Sequence, residues 1–159
     1  MSGQLVFMMG EFEALIPTDR QYAKNHMWAQ RQGATDDPGS SGVYRFGFSA
    51  YAVRLLQDVY FLDWSVEAGT HLKDRQQIGF IESKKAESDL YAPLPGLLSR
   101  FNENLLSDPS TINVDKYGEG WLFEIRGSGQ QLLSPERYIE HLDAVWEVTQ
   151  RTIKGQLNE

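Results

Sequence analysis

Lys84 and Lys85 form an adjacent pair in the one segment of the sequence whose residues point to covalent chemistry. An apolar, β-branched run at residues 78–81 precedes the pair, and Leu90 and the turn-forming sequence Pro93-Leu94-Pro95-Gly96 follow it. This pattern predicts a β-hairpin with both lysines at its tip. A lysine at a hairpin tip extends a four-carbon stem into solvent, so a modifying enzyme can reach the amine and an attached group can swing between partner proteins.

Acidic residues surround the lysine pair, and they leave two interpretations open. Glu82, Glu87 and Asp89 either guide a modifying enzyme by charge or only keep the tip soluble. A Lys-Lys pair between acidic residues is ordinarily part of a solvated loop. Composition and spacing alone therefore do not establish that either lysine is modified.

The absence of cysteine limits the chemistry that the chain itself can supply. A sequence without cysteine has no disulfide, no thiol nucleophile and no thiolate metal site. The three histidines, His26, His71 and His141, are widely separated in sequence, which argues against a ligand cluster. We therefore expect no metal site, and any redox-active sulfur would have to come from a cofactor.

Other motifs give no support for an enzyme active site. Gly118-x-Gly120 lacks the lysine and hydroxyl residue that complete a phosphate-binding loop, so a tight turn into Trp121 is the better interpretation. No nucleophile elbow is present. Several acidic residues of this region occupy loop and strand positions that do not enforce a catalytic pair: Asp108, Asp115, Glu119 and Glu124. The sequence predicts a protein that is not an enzyme.

Composition indicates a single globular domain whose partners are proteins. The 159 residues suffice for one domain with a core, and 22 acidic against 15 basic residues give a net charge of −7. This charge opposes binding to nucleic acid or to an anionic membrane. No apolar run is long enough to span a bilayer, and residues 5–9 lack the length and basic leader of a signal peptide. We expect a cytoplasmic protein.

Local patterns predict a mainly β fold with helical additions. A loop of turn formers at residues 33–42 separates the first two predicted strands and is interpreted as a flexible connector. Ser49 is a plausible N-cap for a short helix over residues 50–56, and residues 102–112 suggest a helical turn and loop. The predicted strands, besides the one entering the lysine turn, are residues 27–31, 43–48, 59–64, 97–101 and 121–125.

A terminal helix is predicted over about residues 134–154. Ser134-Pro135-Glu136 combines a capping hydroxyl, a proline at the first helical position and an acidic residue near the positive end of the dipole. An apolar stripe on this helix is expected to face the protein's own core rather than a partner: Ile139, Leu142, Trp146, Thr149 and Ile153. Residues 1–13 are treated as an N-terminal extension, either an added edge strand or a loosely held terminus, and residues 14–159 as one domain.

Three segments resemble one protein family. Glu82-Ser83-Lys84-Lys85-Ala86 resembles the pattern around the modified lysine of lipoyl domains, and Ser88-Asp89-Leu90-Tyr91-Ala92-Pro93 is similar to the glycine cleavage system H protein. Tyr117-Gly118-Glu119-Gly120-Trp121-Leu122 resembles a second signature of that family. Residues 17–28, with the pattern Pro-x-Asp-x-x-Tyr-x-x-x-His-x-Trp, resemble its opening segment. Because the matches occur in the family's order, the chain is identified as a member.

The resemblance implies a fold and a cofactor site. The expected fold is the lipoyl-type flattened β-barrel, or barrel-sandwich hybrid, with two facing sheets and a C-terminal helix. The family spacing assigns covalent lipoate to Lys85, three residues after Glu82 and directly before Ala86, and leaves Lys84 unmodified. Glu82, Ser83, Ala86 and Asp89 complete the expected cofactor site.

The resemblance also implies a set of partners. A lipoate–protein ligase or lipoyl transferase would attach lipoate through an amide. The arm would then shuttle an aminomethyl group from glycine decarboxylase to aminomethyltransferase, and dihydrolipoamide dehydrogenase would reoxidise it. The loaded arm would fold into a cleft where acidic residues, Asp89 among them, receive the ammonium.

Met27 departs from the family pattern, which has glutamate at this position, and it keeps a second cargo open. A thioether offers a cation no favourable partner in a partly desolvated cleft. An H-like lipoate-binding protein of a heterodisulfide-reductase-like sulfur oxidation pathway would carry sulfur species instead, with no ammonium to neutralise. A third alternative is an unmodified structural or interaction module with the same fold.

Overall fold

The computed structural model describes residues 3–33 and 41–157, the side chains of residues 150–157 excepted. The predicted connector at 33–42 lies for the most part outside the described residues. The strands are β1 (Gln4–Met9), β2 (Phe12–Pro17), β3 (Gln21–Tyr22), β4 (Met27–Gln32), β5 (Gly42–Phe48), β6 (Val59–Trp64), β7 (His71–Leu72), β8 (Gln77–Ser83), β9 (Glu87–Tyr91), β10 (Gly96–Phe101) and β11 (Phe123–Gly127). The helices are α1 (Ala50–Leu56), α2 (Asn104–Ser107), α3 (Thr111–Val114) and α4 (Pro135–Leu157). The predicted mainly β architecture with a terminal helix is confirmed.

Two sheets enclose the main core. The larger sheet has the strand order β3-β4-β5-β11-β10-β7, and the smaller has the order β6-β8-β9. Both sheets contribute fully buried side chains to one apolar cluster, for example Phe46 and Ile125 from the larger sheet and Ile78 and Ile81 from the smaller. The sheets therefore face each other across a shared apolar layer, as in a β-sandwich.

Two predicted elements differ in their bounds. The last strand begins at Phe123 and not at Trp121, because the Trp121 amide closes a turn onto the Gly118 carbonyl 3.2 Å away. The helical turn predicted over residues 102–112 is two short helices, α2 and α3. Asp108, Pro109 and Ser110 separate them, and proline has no amide hydrogen with which to continue the first helix.

The N-terminal residues form a β-hairpin of their own. β1 and β2 pair in antiparallel register from Gln4 opposite Pro17 to Met9 opposite Phe12, and they make a separate two-stranded sheet. Phe7 and Met9 are buried in a second apolar cluster. The segment is therefore neither an added edge strand nor a loose terminus, and β2 extends across the boundary drawn at residue 13.

Helix α4 begins as predicted, with the Ser134 hydroxyl accepting a hydrogen bond from the Arg137 amide over 3.2 Å. Leu142 is fully buried in the second cluster, and Ile139 and Trp146 pack against it, so the expected packing of the stripe is confirmed. The predicted stripe did not include Tyr138, which is also fully buried. The side chain of Ile153 lies outside the described part of the chain. None of the described helices is long and apolar enough to cross a membrane.

Candidate functional site

The lysine pair lies at the tip of the β8–β9 hairpin, as the sequence predicts. The hydroxyl of the buried Ser83 accepts hydrogen bonds from the amides of Lys85 and Ala86 over 3.4 and 3.2 Å, and it donates to the Ala86 carbonyl over 3.1 Å. The Lys84 amide donates to the Asp58 carbonyl over 2.8 Å. The backbone of the turn is thus held by hydrogen bonds, while both lysine side chains are exposed.

The position of β8 in the centre of the smaller sheet holds this turn in place. β8 pairs with β6 on one side and β9 on the other, and its Ile78 and Ile81 are fully buried. Gly79 permits the close approach of β6, because a Cβ atom there would lie 2.3 Å from the Asp63 carbonyl oxygen. The lysine turn therefore projects from a strand that is anchored on both edges.

The three acidic residues near the lysines occupy different positions. Glu82 and Glu87 are paired directly across the β8–β9 ladder at the base of the turn, where like charges repel. Glu82 is half-buried, and Glu87 and Asp89 are exposed. Within the described residues, none of the three forms a salt bridge with Lys84 or Lys85.

A cleft of about 400 Å³ lies beside the lysine turn. One wall is the chain from Ala86 to Tyr91, which leads directly away from Lys85. Helix α1 contributes Ala52, Leu55 and Leu56 to the lining, and the residues from Asn25 to Met27, at the start of β4, line it as well. Further apolar side chains complete the lining: Phe48, Ile81 and Leu90. An attached arm could therefore fold from Lys85 onto an apolar surface.

Among the described lining residues of this cleft, only those of β9 supply carboxylates. Glu87 and Asp89 line it, and the Tyr91 hydroxyl lies 3.5 Å from the Asp89 carboxylate. Met27, with only 1% of its surface exposed, lines the end formed by the residues before β4. The cleft thus has acidic groups along one wall and a thioether at the position where the family resemblance leads us to expect a carboxylate.

Sequence reasoning missed His26 and Asn25 as lining residues of the cleft. The side-chain nitrogen of Asn25, Nδ2, donates to the Tyr91 carbonyl over 3.1 Å, whereas the side-chain oxygen, Oδ1, is buried without a hydrogen-bond partner. His26 adopts a left-handed backbone with φ 70°, which is uncommon for residues other than glycine, although asparagine, aspartate and histidine adopt it more often than the rest. The two residues make the tight turn before β4, and that turn has no sequence signal other than Asn25 itself.

His26 is held neutral in the fold. Burial and, to a smaller extent, the nearby His141 together lower the pKa of His26 to about 4. Its Nδ1 lies 3.0 Å from the Tyr138 hydroxyl, which is also 2.8 Å from the Ser49 hydroxyl. The histidines that we expected to be scattered are therefore partly brought together, since the rings of His26 and His141 stack at 5.6 Å between centroids. The described residues contain no group of three or more potential metal ligands.

Comparison with known proteins decides the family. The family profile for the glycine cleavage H-protein matches residues 20–144. The chain belongs to the glycine cleavage H-protein family. A glycine cleavage system H protein from Rubrobacter xylanophilus is 38% identical over 131 residues, covering 82% of this chain and 97% of that relative. A probable H protein from Aeropyrum pernix is 34% identical over 145 residues, covering 88% of this chain and 95% of the relative.

A solved structure gives the same result for the fold. The crystal structure of a glycine cleavage system H protein from Mycobacterium marinum has a TM-score of 0.67 and 32% sequence identity, covering 81% of this chain and 98% of that one. The barrel-sandwich fold of the lipoyl type is thereby confirmed. The lysine turn and every residue lining the cleft fall within the region matched by the family, whereas the β1–β2 hairpin precedes it.

Proposed function

We propose that this protein is a non-catalytic carrier of the glycine cleavage system, with lipoate amide-linked to Lys85. The observation that carries the proposal is the position of Lys85: it is exposed at a hydrogen-bonded hairpin tip and adjoins the wall of an apolar cleft. A tip of this kind presents the amine to a modifying enzyme. The adjoining cleft offers the attached arm a resting place between partners.

Lys85, and not Lys84, is the proposed attachment residue. Lys84 lies where the chain leaves β8, and its amide is tied to the Asp58 carbonyl. Lys85 is the residue directly before Ala86, at which the cleft wall begins. A group attached to Lys85 is therefore one residue closer to the cleft wall than a group attached to Lys84. The spacing of Glu82, Ser83 and Ala86 around Lys85 supports the same assignment.

The lining of the cleft supports storage of a loaded arm. The apolar side chains of α1 and β8 would cover the hydrocarbon part of lipoate, and burial of that surface is favourable. Asp89 lies on the wall where a cationic cargo could be paired. The buried, unpartnered oxygen of Asn25 would accept a hydrogen bond from an N–H group of the arm or cargo, which would remove the cost of leaving it unsatisfied.

The proposed cargo is an aminomethyl group. The arm would collect it from the pyridoxal-phosphate-dependent glycine decarboxylase, deliver it to the folate-dependent aminomethyltransferase, and be reoxidised by dihydrolipoamide dehydrogenase. The dithiolane of lipoate supplies the exchangeable sulfur that a chain without cysteine lacks. A lipoate–protein ligase or a lipoyl transferase would load the arm.

Intact-protein mass spectrometry tests the attachment site. The protein is incubated with lipoate, ATP and a lipoate ligase, alongside Lys85→Arg and the matched control Lys84→Arg, which both retain the charge of the tip. We expect the wild type and Lys84→Arg to gain the mass of one lipoyl group and Lys85→Arg to gain none. Loading of Lys85→Arg at Lys84 would overturn the assignment.

A second candidate function keeps the carrier and changes its cargo. The buried Met27 places a thioether where the family pattern has a carboxylate, and His26 beside it is neutral, so this end of the cleft offers a cation no charged partner. An H-like lipoate-binding protein that carries sulfur species in an oxidation pathway would need no such partner. A carboxylate introduced at position 27 therefore tests which cargo the arm carries.

A further inference from the structure

A second cavity, of about 730 Å³, adjoins the cleft beside the lysine turn. Asn25 and Tyr91 line both cavities, so the two are neighbours. Its remaining walls come from four separate parts of the chain: residues 23–24, residues 74–75, residues 92–93 and the stretch from Gln130 into the first turn of α4. This volume is within the usual range for a small-molecule site.

Three cationic side chains and one acidic side chain line this second cavity, so its lining carries an excess of positive charge. Lys24, Arg75 and Arg137 are the cations, and Asp74 is the one acidic residue among the described lining residues. The Asp74 carboxylate accepts a hydrogen bond from the Gln131 amide over 3.3 Å. The salt bridges found among the described residues involve none of the three cations. A local excess of positive charge, in a protein whose net charge is −7, attracts anions to this cavity.

Two of these cations occupy positions that local structure disfavours. Arg137 lies in the first turn of α4, where the positive end of the helix dipole repels a cation. Arg75 adopts a left-handed backbone with φ 61°, a strained conformation for a residue with a side chain. Residues that depart from local conformational or electrostatic preference tend to occur at functional sites, and here both such residues line the same cavity.

The inner surface of the cavity is apolar. Ala23, Ala92 and Leu132 are buried apolar residues in its lining, and Pro93 lies beside them. The exposed cations stand around this surface together with Gln130 and Gln131. The matching ligand has an apolar body that covers the inner surface and an anionic group that reaches the guanidinium groups, for which carboxylate and phosphate are the suitable partners.

We propose that this cavity, the cationic cavity, binds a small organic anion with an apolar body and a carboxylate or phosphate group. The site is separate from Lys85 and does not depend on lipoylation. The apolar inner surface of the cavity would contact the body of the ligand, and Arg75 and Arg137 would bind its anionic group. The proposal would hold equally if the arm carried sulfur species or nothing at all.

The experiment uses 1-naphthoate and 1-naphthyl phosphate as probes and 1-naphthalenemethanol as the uncharged control, each titrated into the full-length protein. Binding is followed by backbone amide chemical shifts, with attention to Ala92 and Leu132. We expect at least one anion to shift these amides and the alcohol to bind at least tenfold more weakly, because a charge-assisted hydrogen bond is lost. The two anions distinguish a carboxylate site from a phosphate site.

Variants tie the binding to the cavity. Arg75→Gln and Arg137→Gln are each expected to raise the Kd of the preferred anion about tenfold. Arg126→Gln is the matched control, since Arg126 is an exposed arginine of β11 outside the cavity lining, and its Kd should equal that of the wild type. The proposal is overturned if neither anion binds, if the alcohol binds equally well, or if Arg126→Gln weakens binding as much as the cavity variants.

Discussion

The hydroxyl oxygen of the buried Ser83 lies 3.4 Å from the backbone nitrogen of Lys85. The same oxygen accepts from the Ala86 amide and donates to the Ala86 carbonyl, so one side chain satisfies three backbone groups of the lysine turn. This arrangement gives a physical reason for serine two residues before the proposed attachment site. The direction in which Lys85 leaves the hairpin depends on it.

Replacing Ser83 by alanine should loosen the turn without unfolding the protein. Because a hydrogen bond contributes about 1 kcal/mol net, we expect the free energy of unfolding to fall by about 1–2 kcal/mol. The rate of lipoylation at Lys85 should fall as well, since the ligase must then bind a less ordered turn. Ser88→Ala is the matched control, because the Ser88 hydroxyl is exposed and contacts only the Asp89 carbonyl in the hydrogen bonds described. Equal lipoylation rates for wild type and Ser83→Ala would contradict this role.

The cargo prediction concerns Met27. If Met27 deprives the ammonium of an aminomethylated arm of a charged partner, Met27→Glu should restore that partner in the cleft. A charge-assisted hydrogen bond in a desolvated site contributes about 1.5–3 kcal/mol, so the half-life of the aminomethylated adduct should lengthen about tenfold or more. Mass spectrometry measures this half-life, with glycine decarboxylase as the donor enzyme.

Two further variants control the cargo experiment. Met27→Gln has a similar length without the charge and should leave the half-life near that of the wild type. Asp89→Asn should shorten it if the β9 carboxylate already pairs the ammonium. Equal half-lives for wild type and Met27→Glu, with efficient loading of both, would remove the reason to doubt an aminomethyl cargo. Poor loading of wild type that improves in Met27→Glu would favour sulfur cargo.

The low pKa of His26 predicts a loss of stability in mild acid. Burial and His141 lower the pKa of His26 from an ordinary value near 6.5 to about 4 in the fold. As pH falls from 6.5 to 4, the unfolded chain binds a proton that the folded protein excludes, so protonation favours unfolding. This contribution is absent above pH 6.5, and at pH 4.5 it amounts to about 2.5 kcal/mol.

Urea denaturation at pH 7.5 and pH 4.5 measures this contribution against a variant. His26→Asn is suitable because asparagine tolerates the left-handed backbone at this position. The rings that face His26 are Tyr51, Tyr138 and His141, and all three remain in the variant. The wild type should therefore lose about 2.5 kcal/mol more than His26→Asn between the two pH values. An equal loss in both proteins would show that His26 does not titrate as described.

The second apolar cluster should support the fold without contributing to lipoylation. Leu142→Ala removes a fully buried side chain from it and should lower the free energy of unfolding by about 2–5 kcal/mol. Leu106→Ala is the matched control, because 54% of the Leu106 surface is exposed, and its effect should be small. Thermal denaturation gives the comparison, and the folded fraction of both variants should still be lipoylated. An unchanged stability of Leu142→Ala would imply that α4 faces a partner.

The elements predicted correctly from sequence are those whose signals are local. The lysine hairpin lies between an apolar strand pattern and a proline-rich turn, and α4 begins at Ser134-Pro135 with the expected cap. Errors arose where a nearby hydrogen bond competes with the pattern. Trp121 has a strand-like residue type, but its amide closes a turn onto Gly118. The N-terminal hairpin was missed because its two strands bury only part of their surface, against residues far away in sequence.

The sequence by itself determined the family motif around Lys85, the mainly β class and the start of the terminal helix, because residues within a few positions of each other specify these features. Only the tertiary structure decided what surrounds the motif. The cleft beside the lysine turn is lined by residues near positions 25, 55 and 89, and the stacking of His26 on His141 joins a turn to a helix. Such neighbours depend on how the two sheets and α4 pack, and the packing is determined by the whole core rather than by any local pattern.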